Sequence, residues 1–177
     1  MNRSILGKEL KNSYQSFVDF IQSLDESDFL FAPPNKWTAG QQLQHLVLSV
    51  KPLNKALLMP KLALTSMFGK ANRPSKSYDD LVAKYQDKLK GVQGKPAPSE
   101  YTPAPIPYAE SNQLCNTLIK EVEKLARKIE KTKESNLDII ILPHPLMGKV
   151  TLREMVYFTI YHATHHLNHI KNGLSQQ

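Results

Sequence analysis

Four of the six histidines, His162, His165, His166 and His169, fall within eight residues near the C-terminus. At about 100° per residue, His162, His166 and His169 share roughly a 60° arc of a helix, and His165 lies about 60° from His162 on the other side. Neutral imidazole suits zinc and similar ions, and histidines four residues apart on a helix can reach one ion together. His162 and His166 have that spacing. His45 lies more than a hundred residues earlier, on a second helical stretch. If the two stretches pack together, three imidazoles meet at one point. Three protein ligands leave coordination positions for water or substrate, the arrangement of catalytic rather than structural sites.

Each histidine also has a plainer reading. Histidines near a helix C-terminus are favoured by the macrodipole and can simply face solvent; the interleaved Ala163, Leu167 and Ile170 argue against that here. Taken alone, His45 beside Leu46 and Val47 reads as a satisfied, half-buried side chain. His144, in a proline-flanked turn, reads as structural. His165 and His169 are candidate proton carriers within a turn of the proposed ligands, set against the alternative of half-exposed surface residues. The zinc-protease pattern H-E-x-x-H is absent, because position 163 is alanine. No carboxylate accompanies the histidines in sequence, so no general base is assigned.

Bringing His45 to His162 requires long helices. From about Ser4 to Leu24, Ile5, Leu10, Tyr14, Phe17, Val18, Ile21 and Leu24 recur at helical spacing. Pro33, Pro34 and Asn35 form a break. Thr38 then reads as the N-cap of a second helix carrying His45, expected to run toward Phe68 with a kink at Pro52 and an end at Pro60. Ser77, Asp79 and Asp80 open a short helix with Leu81, Val82, Tyr85 and Leu89 apolar and Gly91 as its stop. Pro96, Pro98, Pro103, Pro105 and Pro107 predict an extended connector. The whole connection over 69–109 is expected outside the helical core, where long connections often cover or shape a site.

A third long helix is expected over about Glu110 to Lys133, with Leu114, Leu118, Val122, Leu125 and Ile129 on its buried stripe. Leu137 to Leu142 is β-prone and predicts at most a brief extended piece. His144, Pro145, Gly148 and Lys149 make a turn. Thr151, with Glu154 three residues on, forms a capping box that starts the last helix. Three long amphipathic stretches and a capped fourth predict an all-α four-helix bundle, a single domain across 1–177.

Composition narrows the partners. The formal net charge of +7 raises nucleic acid as a partner. Many lysines are mixed with acids, however, as in Glu121/Lys124 and Glu123/Arg127, a pattern of ion pairs on a solvated helix face. No aromatic residues interleave with the bases to stack on nucleobases. Specific nucleic-acid binding is therefore not expected. No aliphatic run approaches the length that spans a bilayer, and no membrane partner is expected. A lone cysteine, Cys115, reads as a buried small residue. With an N-terminus that lacks an apolar signal core, it points to the cytoplasm.

Two motifs add a resemblance. Trp37-Thr38 followed by Leu43-Gln44-His45-Leu46, and the turn H-P-L-M-G-K-V-T-L-R-E at 144–154 followed by H-A-T-H-H-L-N-H-I at 162–170, resemble the DinB-like proteins, a family of small four-helix bundles read as metalloenzymes. In this order and spacing the motifs frame the chain from residue 5 to 173. The resemblance implies a divalent ion held by His45, His162 and His166, and imidazole ligands make zinc or nickel the expected ion. It implies a small-molecule substrate as well, since some relatives are thiol-dependent transferases or isomerases using low-molecular-weight thiols. One departure is visible: Leu167-Asn168-His169 stands where members often carry Arg-Gly-Gln, so His169 occupies the place of a common glutamine. The expected function is a metal-dependent hydrolase or thiol transferase, with a homodimer as the expected assembly. The alternative is a non-catalytic, metal-binding or stress-associated bundle.

Overall fold

The helical spacing read from the sequence becomes four long helices in the computed structural model, which describes residues 1–92 and 102–176. The first, α1 (Arg3–Ser23), is capped by Asn2, whose side chain accepts from the Ile5 N–H, and buries Leu6, Leu10, Tyr14, Phe17, Val18 and Ile21. A one-turn helix, α2 (Glu26–Leu30), follows, with Phe29 buried. The His45 helix, α3 (Ala39–Ala56), begins with Thr38 and Gln41 as a reciprocal capping box. It runs through Pro52 but ends one turn later, short of the expected Phe68. Pro60 then caps a separate helix, α4 (Lys61–Phe68). A proline disfavours helical backbone at the residue before it, so the end expected at Pro60 falls just ahead of it and the rest of the stretch to Phe68 is a second helix.

Gly69 leaves α4 at φ +91°, a conformation that L side chains rarely adopt. The chain then pairs with the segment before the last helix: Lys70 bridges Ile140, and the Ala71 N–H donates to the Ile139 carbonyl at 3.0 Å. The short helix expected after Ser77 is α5 (Tyr78–Lys90). Ser77 caps it, Gly91 ends it, and Leu81 and Tyr85 are buried against the last helix. Pro96 and Pro98 lie outside the described residues. From Thr102 to Pro107 the chain has no regular structure, and Gln41 Nε2 donates to the Pro103 carbonyl at 3.1 Å, which ties the connector to the start of α3. A 3-10 turn at Tyr108–Glu110 leads into α6 (Ser111–Lys131).

Between α6 and the last helix the structure holds more than a turn. Glu134–Ile139 forms a short helix, α7, followed by a hairpin of β1 (Ile141–His144) and β2 (Gly148–Thr151), paired antiparallel with Ile141 opposite Thr151 and His144 opposite Gly148. The extended piece expected over Leu137 to Leu142 is therefore helical in its first half. The last helix, α8 (Leu152–Leu174), carries the expected capping box of Thr151 and Glu154. Helices α1, α6, α3 and α8 each touch two others around a ring, in that order, and enclose the core. This is an all-α four-helix bundle. Among the described residues, no helix is long and apolar enough to cross a membrane.

Candidate metal centre

Facing positions on α3 and α8 bring the three histidines together. His45 Nε2 lies 3.3 Å from His162 Nε2, and His166 Nε2 lies 2.9 Å from the same atom. One ring nitrogen from each of the three falls within 4.8 Å of the others. Two imidazole nitrogens bound to one tetrahedral zinc, each about 2.05 Å from the ion, are about 3.3 Å apart. The two separations from His162 Nε2 are close to that. His162 and His166 are buried in α8 and His45 is half-buried in α3.

Hydrogen bonding fixes one of the rings. His166 Nδ1 lies 2.8 Å from the Gln42 side-chain oxygen, which can only accept, so Nδ1 carries the hydrogen. In neutral His166, Nε2 is then a bare lone pair aimed at His162. Ligand histidines are commonly oriented in this way through their other nitrogen. Sequence reasoning did not single out Gln42. The available signal was its position three residues before His45, which sets both on one face of α3. The Nδ1 of His162 is buried with no hydrogen-bond partner among the described residues. Two bare Nε2 atoms at 2.9 Å repel, so the arrangement needs either a hydrogen on His162 Nε2 or a cation between the rings. The donor set fits a divalent ion.

Aromatic rings wall the cluster. Trp37 stands 5.0 Å from His45 between ring centroids and lies nearly parallel to His166 at 6.4 Å. Phe158 packs on His162 at 4.6 Å, and also on His144 at 4.3 Å and Tyr85 at 5.0 Å. Burial, and then the neighbouring histidines, hold the pKa of His162 and of His166 well below the usual imidazole range. Both are neutral near pH 7, the form that binds metal.

The other histidines stand apart from the group. His165 packs against His166 (5.2 Å) and His169 (4.2 Å), outside the three ring nitrogens that converge. It is half-buried, and burial followed by His169 and His45 brings its pKa down to about 4. His169 is exposed, and its pKa is lowered by burial of its ring and by Lys36. His144 is structural, as expected: its Nδ1 accepts the Leu146 and Met147 N–H groups at 3.1 Å each and closes the hairpin turn. Cys115 is buried, as expected, and burial pushes its thiol up to about 11.

The model of the DinB superfamily matches residues 9–170, and the chain belongs to that family. Membership and the three-histidine cluster together fit a metal-binding protein. No curated protein matches the chain.

Proposed function

We propose that this chain is a metal-dependent enzyme, a hydrolase or thiol-dependent transferase, in which His45, His162 and His166 hold one divalent ion. Zinc or nickel suits the site, because imidazole ligands do not separate the two. The observation that carries the reading is the convergence of three ring nitrogens with, among the described residues, no carboxylate or thiolate in the cluster. When bound by neutral ligands alone, such an ion lowers the pKa of a ligating water or thiol and favours nucleophilic attack on a small electrophile.

The chain's own residues prepare for this. Gln42 holds the His166 tautomer, and Trp37 and Phe158 limit the access of water to the ligand rings. His165 and His169 lie within a turn of the ligands and are the residues proposed to carry protons. The proposed substrate is a small molecule, with a low-molecular-weight thiol as co-substrate, and the proposed unit is a single domain over residues 1–177. A reducing compartment such as the cytoplasm suits the single buried cysteine.

Elemental analysis of purified protein tests the binding part. Full metal content in His45→Ala, His162→Ala and His166→Ala alike would overturn it. Loading with zinc, nickel or manganese, followed by thiol-transfer and ester-hydrolysis assays, tests the chemistry. Rates indistinguishable between wild type and His166→Ala would leave the non-catalytic metal-binding bundle, favoured by the deep burial of two of the three rings, as the better reading.

A further inference from the structure

Among the described residues, Met1, Ile5 and Leu30 are exposed apolar side chains that lie apart, but the other large ones are close in sequence. Leu58 (74% exposed), Met59 (36%), Leu62 (81%) and Met67 (61%) lie within ten residues, at the turn between α3 and α4 and on α4 itself. Leu62 sits about 160° round the helix from the buried Leu64, so it projects directly away from the core. Met67 lies about 140° round the helix from Leu62 and faces elsewhere. Isolated exposed leucines are ordinary; Leu58, Met59 and Leu62 together at one corner mark a contact surface.

The stretch of chain through this corner is one-sided in charge, and the acids of the neighbouring α7, Glu134 and Asp138, are paired with Arg153 at 2.8 and 2.7 Å. From Phe29 to Tyr78 there are fifty residues without one Asp or Glu and with seven Lys or Arg, while the rest of the chain balances 16 basic residues against 16 acidic ones. The entire net charge of +7 therefore arises from this stretch. Lys51 and Lys55 stand on the last turns of α3, Lys61 opens α4, and Lys70 follows it, all exposed. Lys149 on β2 reaches the end of α4 and donates to the Phe68 carbonyl at 2.8 Å. Glu121, which faces α3 through Asn54, is already paired with Lys124 at 2.8 Å.

We propose that the α3–α4 corner docks on an anionic lipid surface, with Leu58, Met59 and Leu62 entering the headgroup boundary and the surrounding lysines meeting the lipid charge. Charge complementarity selects this occupant. A second copy of the chain on the same face would set lysines against lysines. A nucleic acid would match the charge but not the aliphatic tip, which offers no aromatic ring for stacking. A docked peptide needs a groove. These side chains protrude, and neither of two surface cavities, one beside Arg153 and Tyr157 and one beside Asp87 and Val92, reaches them. Such peripheral contact needs no spanning helix. It departs from the sequence expectation of no membrane partner, which rested on spanning length alone.

Co-sedimentation of the full chain tests this, using vesicles of phosphatidylglycerol with phosphatidylcholine and vesicles of phosphatidylcholine alone. Binding is expected to the anionic vesicles only, and to weaken as salt rises. Leu58→Ser with Leu62→Ser should reduce binding by about tenfold or more, and Lys55→Glu with Lys70→Glu by about tenfold. These exposed positions leave the helical circular-dichroism spectrum and the metal content at wild-type levels, so the outcome is independent of the metal-site reading. Equal binding to neutral vesicles, no binding to anionic ones, or binding unchanged in the double leucine variant would each overturn the proposal. So would a dimer in analytical ultracentrifugation that the leucine variant dissolves, or duplex-DNA binding lost in the lysine variant alone.

Discussion

Helix α8 carries buried polar groups at two places, and they are satisfied in opposite ways. At its start, Glu154 is 0% exposed, yet both its oxygens are used. Arg73 grips them at 2.6 and 2.9 Å, and the backbone N–H groups of Lys76 and Thr151 add 2.8 and 2.9 Å bonds. Burial alone would raise its pKa, but Arg73 and the two N–H groups outweigh that and hold it below the usual carboxylate range. Two to three turns along the same helix, His162 and His166 are equally buried and have mainly each other, His45 and Gln42. One site is complete within the chain and clamps the segment after α4 to the bundle. The other gathers three ring nitrogens and leaves His162 Nδ1 buried with no hydrogen-bond partner among the described residues, a donor set that suits a divalent ion.

The sharpest way to break the comparison is to delete from each site. His166→Ala should abolish stoichiometric metal in elemental analysis and lower any metal-dependent rate by at least about an order of magnitude, while the fold survives. Glu154→Ala should do the reverse. It should cost about 3 kcal/mol of stability in denaturant unfolding, as a buried pair and a cap are lost together, with metal content intact in the folded fraction. If Glu154→Ala empties the metal site while stability is unchanged, the division of labour is wrong.

Smaller changes sharpen the comparison. Gln42→Ala frees His166 to rotate and should weaken metal affinity by about tenfold, the lower end of the effect of such orienting partners, measured by chelator competition. Acid should weaken the histidine side first. His144 and His165 have folded pKa values of about 4, set by burial first, against an ordinary 6.5. Between those limits the unfolded chain binds more protons than the folded one, so stability falls as pH drops from about 6.5 to about 4. Metal is lost in the same direction, because protons compete for the ligand nitrogens. Stability that instead rose over that window would contradict the burial of these rings. His165→Ala, outside the converging group, should change metal content least; a loss equal to that of His166→Ala would move it into the ligand set.

Local spacing alone was enough to read the four long helices, the Thr38 and Thr151 caps, the Gly91 stop and the two histidine stretches. Each depends on residues within about a turn of one another, where backbone geometry decides which side chains share a face. The short helix at Glu134–Ile139 was missed because six residues are too few to show a period and its last three belong to the β-prone run Leu137 to Leu142; packing against α8 and β2 supports it. The hairpin was foreseen only as a turn, because its register comes from pairing across His144 to Gly148 and from the imidazole that closes it.

The centre itself divides in the same way. The sequence by itself determined that His162 and His166 share a face of one helix, and that His45 sits on another. Only the tertiary structure decided that α3 lies against α8 with His45 opposite His162, that Gln42 rather than a carboxylate orients His166, and that His165 and His169 stay outside the cluster. Those outcomes follow from the rotation of two packed helices about their own axes. That rotation is fixed by the whole core, and no contiguous run of residues encodes it.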